Sequence, residues 1–145
     1  MMTVDPIKQA YYIKAPISEV FDAISDSQTL ARWFLKSAEI EHKKGGKYSF
    51  AWLGVDFKQD GNVLDFKEDK KLVIDWASAG EDSVVTFTTK KEGADTLLTL
   101  VHSGFRDNER RYMSLAGWTY YLMNLKSVLE NGKDLRHKKD NIMGK

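Results

Sequence analysis

His102 is the residue whose type and setting come closest to catalytic chemistry. The run Leu98-Thr99-Leu100-Val101-His102 alternates, which puts Leu98, Leu100 and His102 on one face of an expected strand and turns the imidazole toward the core. A histidine in that position can take up or release a proton near neutral pH. No nucleophile or carboxylate stands at a fixed spacing that would pair with it, so a hydrogen-bonded structural histidine is the preferred reading. Glu39, Glu41 and His42 offer metal-ligand chemistry, but alternation leaves only the two glutamates on a common face, and no metal is expected. Asp56, Asp65 and Asp75 would serve as acid–base groups only if a fold buried them together. Arg32, beside Trp33 and Phe34, offers a cation to an acidic ligand, against the simpler reading of a solvated side chain. The GxGxxG, P-loop, HExxH and GxSxG patterns are absent, so no catalytic residue and no cofactor is expected.

The elements that must position these residues follow from periodicity. Leu115, Trp118, Leu122, Leu125 and Leu129 recur at steps of three and four, which predicts one amphipathic helix over residues 108–131. Asp107 or Asn108 suits its start, and Gly132 suits a left-handed stop. Upstream, residues 37–103 read as an antiparallel meander with strands near 37–42, 47–53, 56–67, 71–78, 83–91 and 95–103. Inward sets are Tyr48, Phe50 and Trp52; Leu72, Ile74 and Trp76; Val85 and Phe87; and Leu98, Leu100 and His102. Gly61 inside the longest run is the expected bulge. Residues 7–14 read as a first strand. Two short helices follow it, the first carrying Val20, Phe21 and Ile24, the second capped by Asp26 and carrying Leu30, Trp33 and Phe34. The long helix has no second long helix to bury its stripe, so its partner must be the sheet, and a bent sheet around one helix leaves room for a pocket.

Composition narrows the functional classes. The 145 residues suffice for one domain, and 22 lysines and arginines against 21 aspartates and glutamates give a net charge of +1, which does not advertise a nucleic-acid partner. Cysteine is absent, which excludes disulfides and thiolate sites and fits the cytoplasm as the expected compartment. No apolar run is long enough for a membrane span and the N-terminus has no signal-peptide pattern. After Gly132 the chain turns polar, and residues 137–145 are expected to form a frayed tail, with Leu135 and Ile142 as anchors.

Several short motifs together resemble one family. Ala15-Pro16 followed by Val20-Phe21, Asp26 followed by Trp33-Phe34, Gly45-Gly46, Thr96 and Thr99 running into His102-Ser103-Gly104-Phe105, and Gly117-Trp118 in the last helix are similar to the homologues of the heat-shock protein 90 ATPase activator, within the START-like, polyketide-cyclase-like superfamily. The resemblance implies an α+β helix-grip fold over residues 1–136, a curved antiparallel sheet of six or seven strands around a long C-terminal helix, with two short N-terminal helices. It also implies a link to stress response and relatives among lipid carriers, hormone receptors and aromatic cyclases, while the short apolar runs noted above are the ground for expecting a soluble protein.

The functional expectation is a cavity between sheet and helix that holds a small hydrophobic or lipid-like molecule. Its candidate lining is Trp33, Phe34, Phe50, Trp52, Trp76, Phe87, His102, Ser114, Trp118, Tyr121, Leu122 and Leu125. Ser114 and Tyr121 are the most telling, because hydroxyls facing the sheet require a partner. Tyr112, Ala116, Tyr120 and Met123 form a second apolar row, covered either by the short helices or by a homodimer or protein partner. The alternatives to ligand binding are therefore a protein-interaction, co-chaperone-like module and, third, a cyclase- or hydrolase-like enzyme using the same cavity.

Overall fold

The computed structural model describes residues 3–142. Met1, Met2 and the end of the expected tail, Met143, Gly144 and Lys145, lie outside the described residues. The element order is β1 (Ile7–Ile13), α1 (Ile17–Ser25), α2 (Ser27–Trp33), β2 (Ser37–Ile40), β3 (Lys47–Ala51), β4 (Lys58–Lys67), β5 (Lys71–Asp75), β6 (Val84–Glu92), β7 (Asp95–Ser103) and α3 (Asn108–Asn131). The seven strands make one curved sheet in the order β1-β7-β6-β5-β4-β3-β2, with every neighbouring pair antiparallel. β1 adds to the β7 side of the β2–β7 meander, so β1 and β2 form the two edges of the sheet. This is the helix-grip arrangement.

Local chemistry explains the boundaries. Pro16 has no N–H to lose at the start of α1, and Asp26 ends that helix and caps the next by accepting from the Thr29 amide at 3.0 Å. Asp107, rather than Asn108, caps α3 through the Arg110 amide at 2.8 Å, and the helix stops at Gly132 in the left-handed region. The expected bulge is displaced. The register of β4 against β5 slips between Val63 and Asp65, so Leu64 is the extra residue and is pushed outward, 40% exposed. Gly61 has a different reason: a Cβ there would strike the Tyr48 ring and the Asp75 carboxylate, so the glycine admits a close crossing rather than a bend. The Asp75 carboxylate then holds the neighbouring Asn62 by its backbone and side-chain amides.

The inward faces read from alternation are all buried. Trp118, Leu122, Leu125 and Val128 bury the stripe of α3, while Leu115 and Leu129 pack on its margin. A buried Asn124 interrupts the stripe and bonds the Trp33 carbonyl, Asp134 and the Leu135 amide, which ties α2, α3 and the start of the tail together.

Candidate functional site

Phe34 is the hinge of the interior. Its ring stands 5.3 Å from Trp118, 5.1 Å from Tyr121 and 5.6 Å from Trp52, with Trp76 at 6.4 Å. Edge-to-face and offset pairs of this kind fix the orientation of the rings relative to one another. Beside the cluster lies a cavity of about 860 Å³, which takes its walls from Phe34, Trp52, Trp76, Ser114, Gly117, Trp118 and Tyr121. Its outer side is built from the β3–β4 loop, where Leu53, Val55 and Phe57 are 39%, 60% and 47% exposed, and from the C-terminal stretch 136–142. Gly54 in that loop has φ +83, and a side chain there would run into the Lys138 carbonyl, so loop and tail meet across the mouth. The hairpin below is fixed by a polar chain: Ser78 donates to Gln59, Gln59 to the Tyr48 hydroxyl, and that hydroxyl to the Asp75 carbonyl.

His102 lies behind this wall, fully buried and fully bonded. The Trp118 indole N–H donates to Nδ1 at 3.0 Å, which makes Nδ1 the unprotonated nitrogen, and Nε2 therefore donates to Ser83 Oγ at 2.7 Å. The one lone pair that could accept a proton is occupied. Burial lowers the pKa of His102 from 6.5 to about 3, so the ring is neutral at physiological pH. The other groups with chemical potential are scattered. Asp65 pairs with Lys71 at 3.1 Å, Asp75 bonds Asn62, Asp56 is exposed, and none of the three lines the cavity. His42 bonds the Ser25 carbonyl and stacks on Phe66, and Arg32 is exposed outside the cavity.

Of the twelve residues read as lining, Phe34, Trp52, Trp76, Ser114, Trp118 and Tyr121 border the cavity. Trp33, Phe50, Phe87, His102, Leu122 and Leu125 stand one layer back in the core; the Trp33 indole, for example, is spent on the Ala23 carbonyl at 2.6 Å. Among the described residues the Ser114 and Tyr121 hydroxyls have no hydrogen-bond partner, and burial raises the Tyr121 pKa. The second row of α3 divides. Tyr112 and Met123 are exposed, Ala116 is half-buried, and Tyr120 is drawn into the cavity border by its 2.5 Å bond to the Asp140 carboxylate, with its pKa raised to about 12 by burial and that bond.

Of the two expected tail anchors Ile142 borders the cavity, whereas the Leu135 side chain is 53% exposed; sequence reasoning missed the loop and the rest of the tail. The signal for the loop was present, since Leu53, Val55 and Phe57 are apolar in a turn where polar residues are the rule. For the tail it was Arg136, whose side chain is almost buried: it bonds the Ala31 and Leu35 carbonyls at the end of α2 and pairs with Asp134 at 2.9 Å. That pairing holds the Asp134 carboxyl well below its usual range, at about 2.

Fold and site together define a helix-grip domain with an aromatic cavity open between its long helix, one hairpin loop and its C-terminal segment. The chain belongs to the family described as "Activator of Hsp90 ATPase homolog 1-like protein", whose sequence pattern matches residues 14–130. No curated protein gives a significant match. Among solved structures it is similar to DynU16, a protein of the dynemicin biosynthetic locus, with 24% identity and a TM-score of 0.82 over 93% of this chain and 51% of that one. It is also similar to the Aha1 dimer from Colwellia psychrerythraea, with 19% identity and a TM-score of 0.74 over 90% and 99% of the two chains. The HSP90 activator PFC0360w from Plasmodium falciparum gives 22% identity and a TM-score of 0.70 over 86% and 95%. At these identities the likeness is one of fold. Among the described residues no helix is long and apolar enough to cross a membrane.

Proposed function

We propose that the protein binds a small hydrophobic or lipid-like molecule in the cavity beside Phe34. The supporting observation is the pairing of an aromatic wall with an opening: Trp52, Trp76, Trp118 and Tyr121 border about 860 Å³, within the roughly 300–1,000 Å³ range of small-molecule sites. Apolar contact supplies most of the affinity. A few hundred Å² buried at about 25 cal/mol per Å² gives several kcal/mol before association costs, which corresponds to micromolar binding. Ser114 and Tyr121 supply the polar contacts that orient the guest. Catalysis by His102 is disfavoured, since its accepting nitrogen is committed to Trp118.

The test is a screen of hydrophobic compounds read by tryptophan fluorescence and by native mass spectrometry of freshly purified protein. Saturable quenching, weakened when Ser114→Trp fills the space, is the expected result. If no compound saturates the signal and no retained mass is found, the reading fails.

A second reading, contact with a protein or a second copy of the chain, draws on the exposure of Tyr112 and Met123 on α3 and on the family match. Sedimentation would report a dimer that Tyr112→Asp disrupts; a monomer at all concentrations removes the homodimer from consideration.

A further inference from the structure

We propose that the guest is an amphiphile with an acidic headgroup, its chain lying against the aromatic wall and its anion held by the cationic border of the opening. This rests on the ligand-binding reading above and specifies its ligand class. The two sides of the cavity differ in chemistry. Inside, the wall is Phe34, Trp52, Trp76 and Trp118; toward solvent stand the exposed Lys138 and Lys139 and the half-buried Arg110, with the almost buried Arg136 also in the lining and Asp140 the sole carboxylate among the cavity's described lining residues. The chain as a whole is nearly balanced in charge, so this is a local excess and not an overall basicity.

The pairing of these groups strengthens the point. Arg136 already has Asp134, and Asp140 is engaged by the Tyr120 hydroxyl. Among the described residues Arg110, Lys138 and Lys139 have no carboxylate within ion-pair distance, and the one side-chain contact of the Arg110 guanidinium is a long approach to the Met113 sulfur, at 3.9 Å. Three uncompensated cations at the lip of an apolar cavity raise the local concentration of anions, and a carboxylate, sulfate or phosphate there gains charge-assisted hydrogen bonds without entering the apolar interior. A neutral or cationic headgroup gains nothing or is repelled. Two of the three cations sit on the 136–142 stretch, so the segment that covers the cavity also selects what enters it.

Three probes of equal chain length test this below their micelle concentrations: dodecanoate, dodecanol and dodecyltrimethylammonium, followed by tryptophan fluorescence, with acetate as a headgroup lacking the chain. Dodecanoate is expected to bind about tenfold more tightly than dodecanol, as several partly screened charge contacts allow, with the cationic probe weakest and acetate without effect. Added salt should narrow the gap. In Lys138→Glu/Lys139→Glu, and separately in Arg110→Gln, the ratio of dodecanoate to dodecanol affinity should fall. Equal binding of all three long-chain probes, or a ratio unmoved in both variants, would overturn the headgroup assignment while leaving the cavity reading intact. If no long-chain probe binds at all, the cavity reading falls with it.

Discussion

The two halves of α3 face the same sheet and end in opposite states. From Leu122 to Val128 the helix meets the interior with branched aliphatics and one asparagine whose amide is fully used, and nothing is left open. From Met113 to Tyr121 it presents Ser114, Gly117, Trp118 and Tyr121, small residues alternating with flat rings, and the sheet does not close over them. Trp118 belongs to both halves. Its N–H completes the His102–Ser83 chain on the packed side, while its ring stands 5.3 Å from Phe34 and from Trp76 on the open side. Apolar periodicity therefore specifies which face is covered, but not whether the cover is tight.

Substitutions can break this contrast, beginning where the two halves join. Trp118→Ala should cost about 3–5 kcal/mol in urea unfolding, because it removes a large buried ring and orphans the Nδ1 of His102. A loss near 1 kcal/mol would mean that the open side reaches behind the helix.

Next in size is acid sensitivity of the packed half. His102 is neutral when folded, with a pKa of about 3, but titrates near 6.5 once unfolded, so the unfolded chain binds the extra proton between those values. Stability should be level above pH 6.5 and fall below it, by up to about 1.4 kcal/mol per pH unit. The fall continues to the folded pKa. His102→Gln should start about 1–3 kcal/mol less stable, since Ser83 and Trp118 lose their shared partner, and should show a flatter profile between pH 6.5 and 4.5. An equally steep profile in the variant would assign the acid sensitivity elsewhere.

Smaller effects belong to the open half. Arg136→Ala removes the bonds to the Ala31 and Leu35 carbonyls and should cost about 1–2 kcal/mol, with hydrogen exchange rising at the amides of residues 135–142 before it rises in the sheet. Unchanged protection there would show that Tyr120 and Asp140 suffice to hold the segment. Phe57→Ser, at an exposed position stacked 5.4 Å from Trp52, should alter stability by no more than about 0.5 kcal/mol while weakening hydrophobic ligands several-fold in fluorescence titration. A large destabilisation would make the loop part of the core.

The same contrast decides what could be read in advance. The strands, the two short helices and the 108–131 helix were legible because each buries one face, and burial of one face writes a period of two or of 3.6 into the residues. His102 was legible as an inward group for the same reason. Its partners were not, since Ser83 and Trp118 lie 19 and 16 residues away and only the β6–β7 register and the crossing of α3 bring them to its two nitrogens. The bulge was expected at Gly61 and lies at Leu64, because a glycine signals freedom or close approach alike, and the crossing of Tyr48 and Asp75 selects the second.

The sequence by itself determined the class of fold and which side chains turn inward, since both follow from local periodicity and from the need to remove apolar surface from water. Only the tertiary structure decided that six of the twelve inward candidates face open space while six are sealed behind them. It also brought a polar C-terminal stretch across the mouth of that space. Whether two apolar faces meet or leave a gap depends on how far apart the backbone holds them, and that distance is set by contacts between residues a hundred positions apart, such as Arg136 with Ala31 and Leu35, which no local pattern encodes.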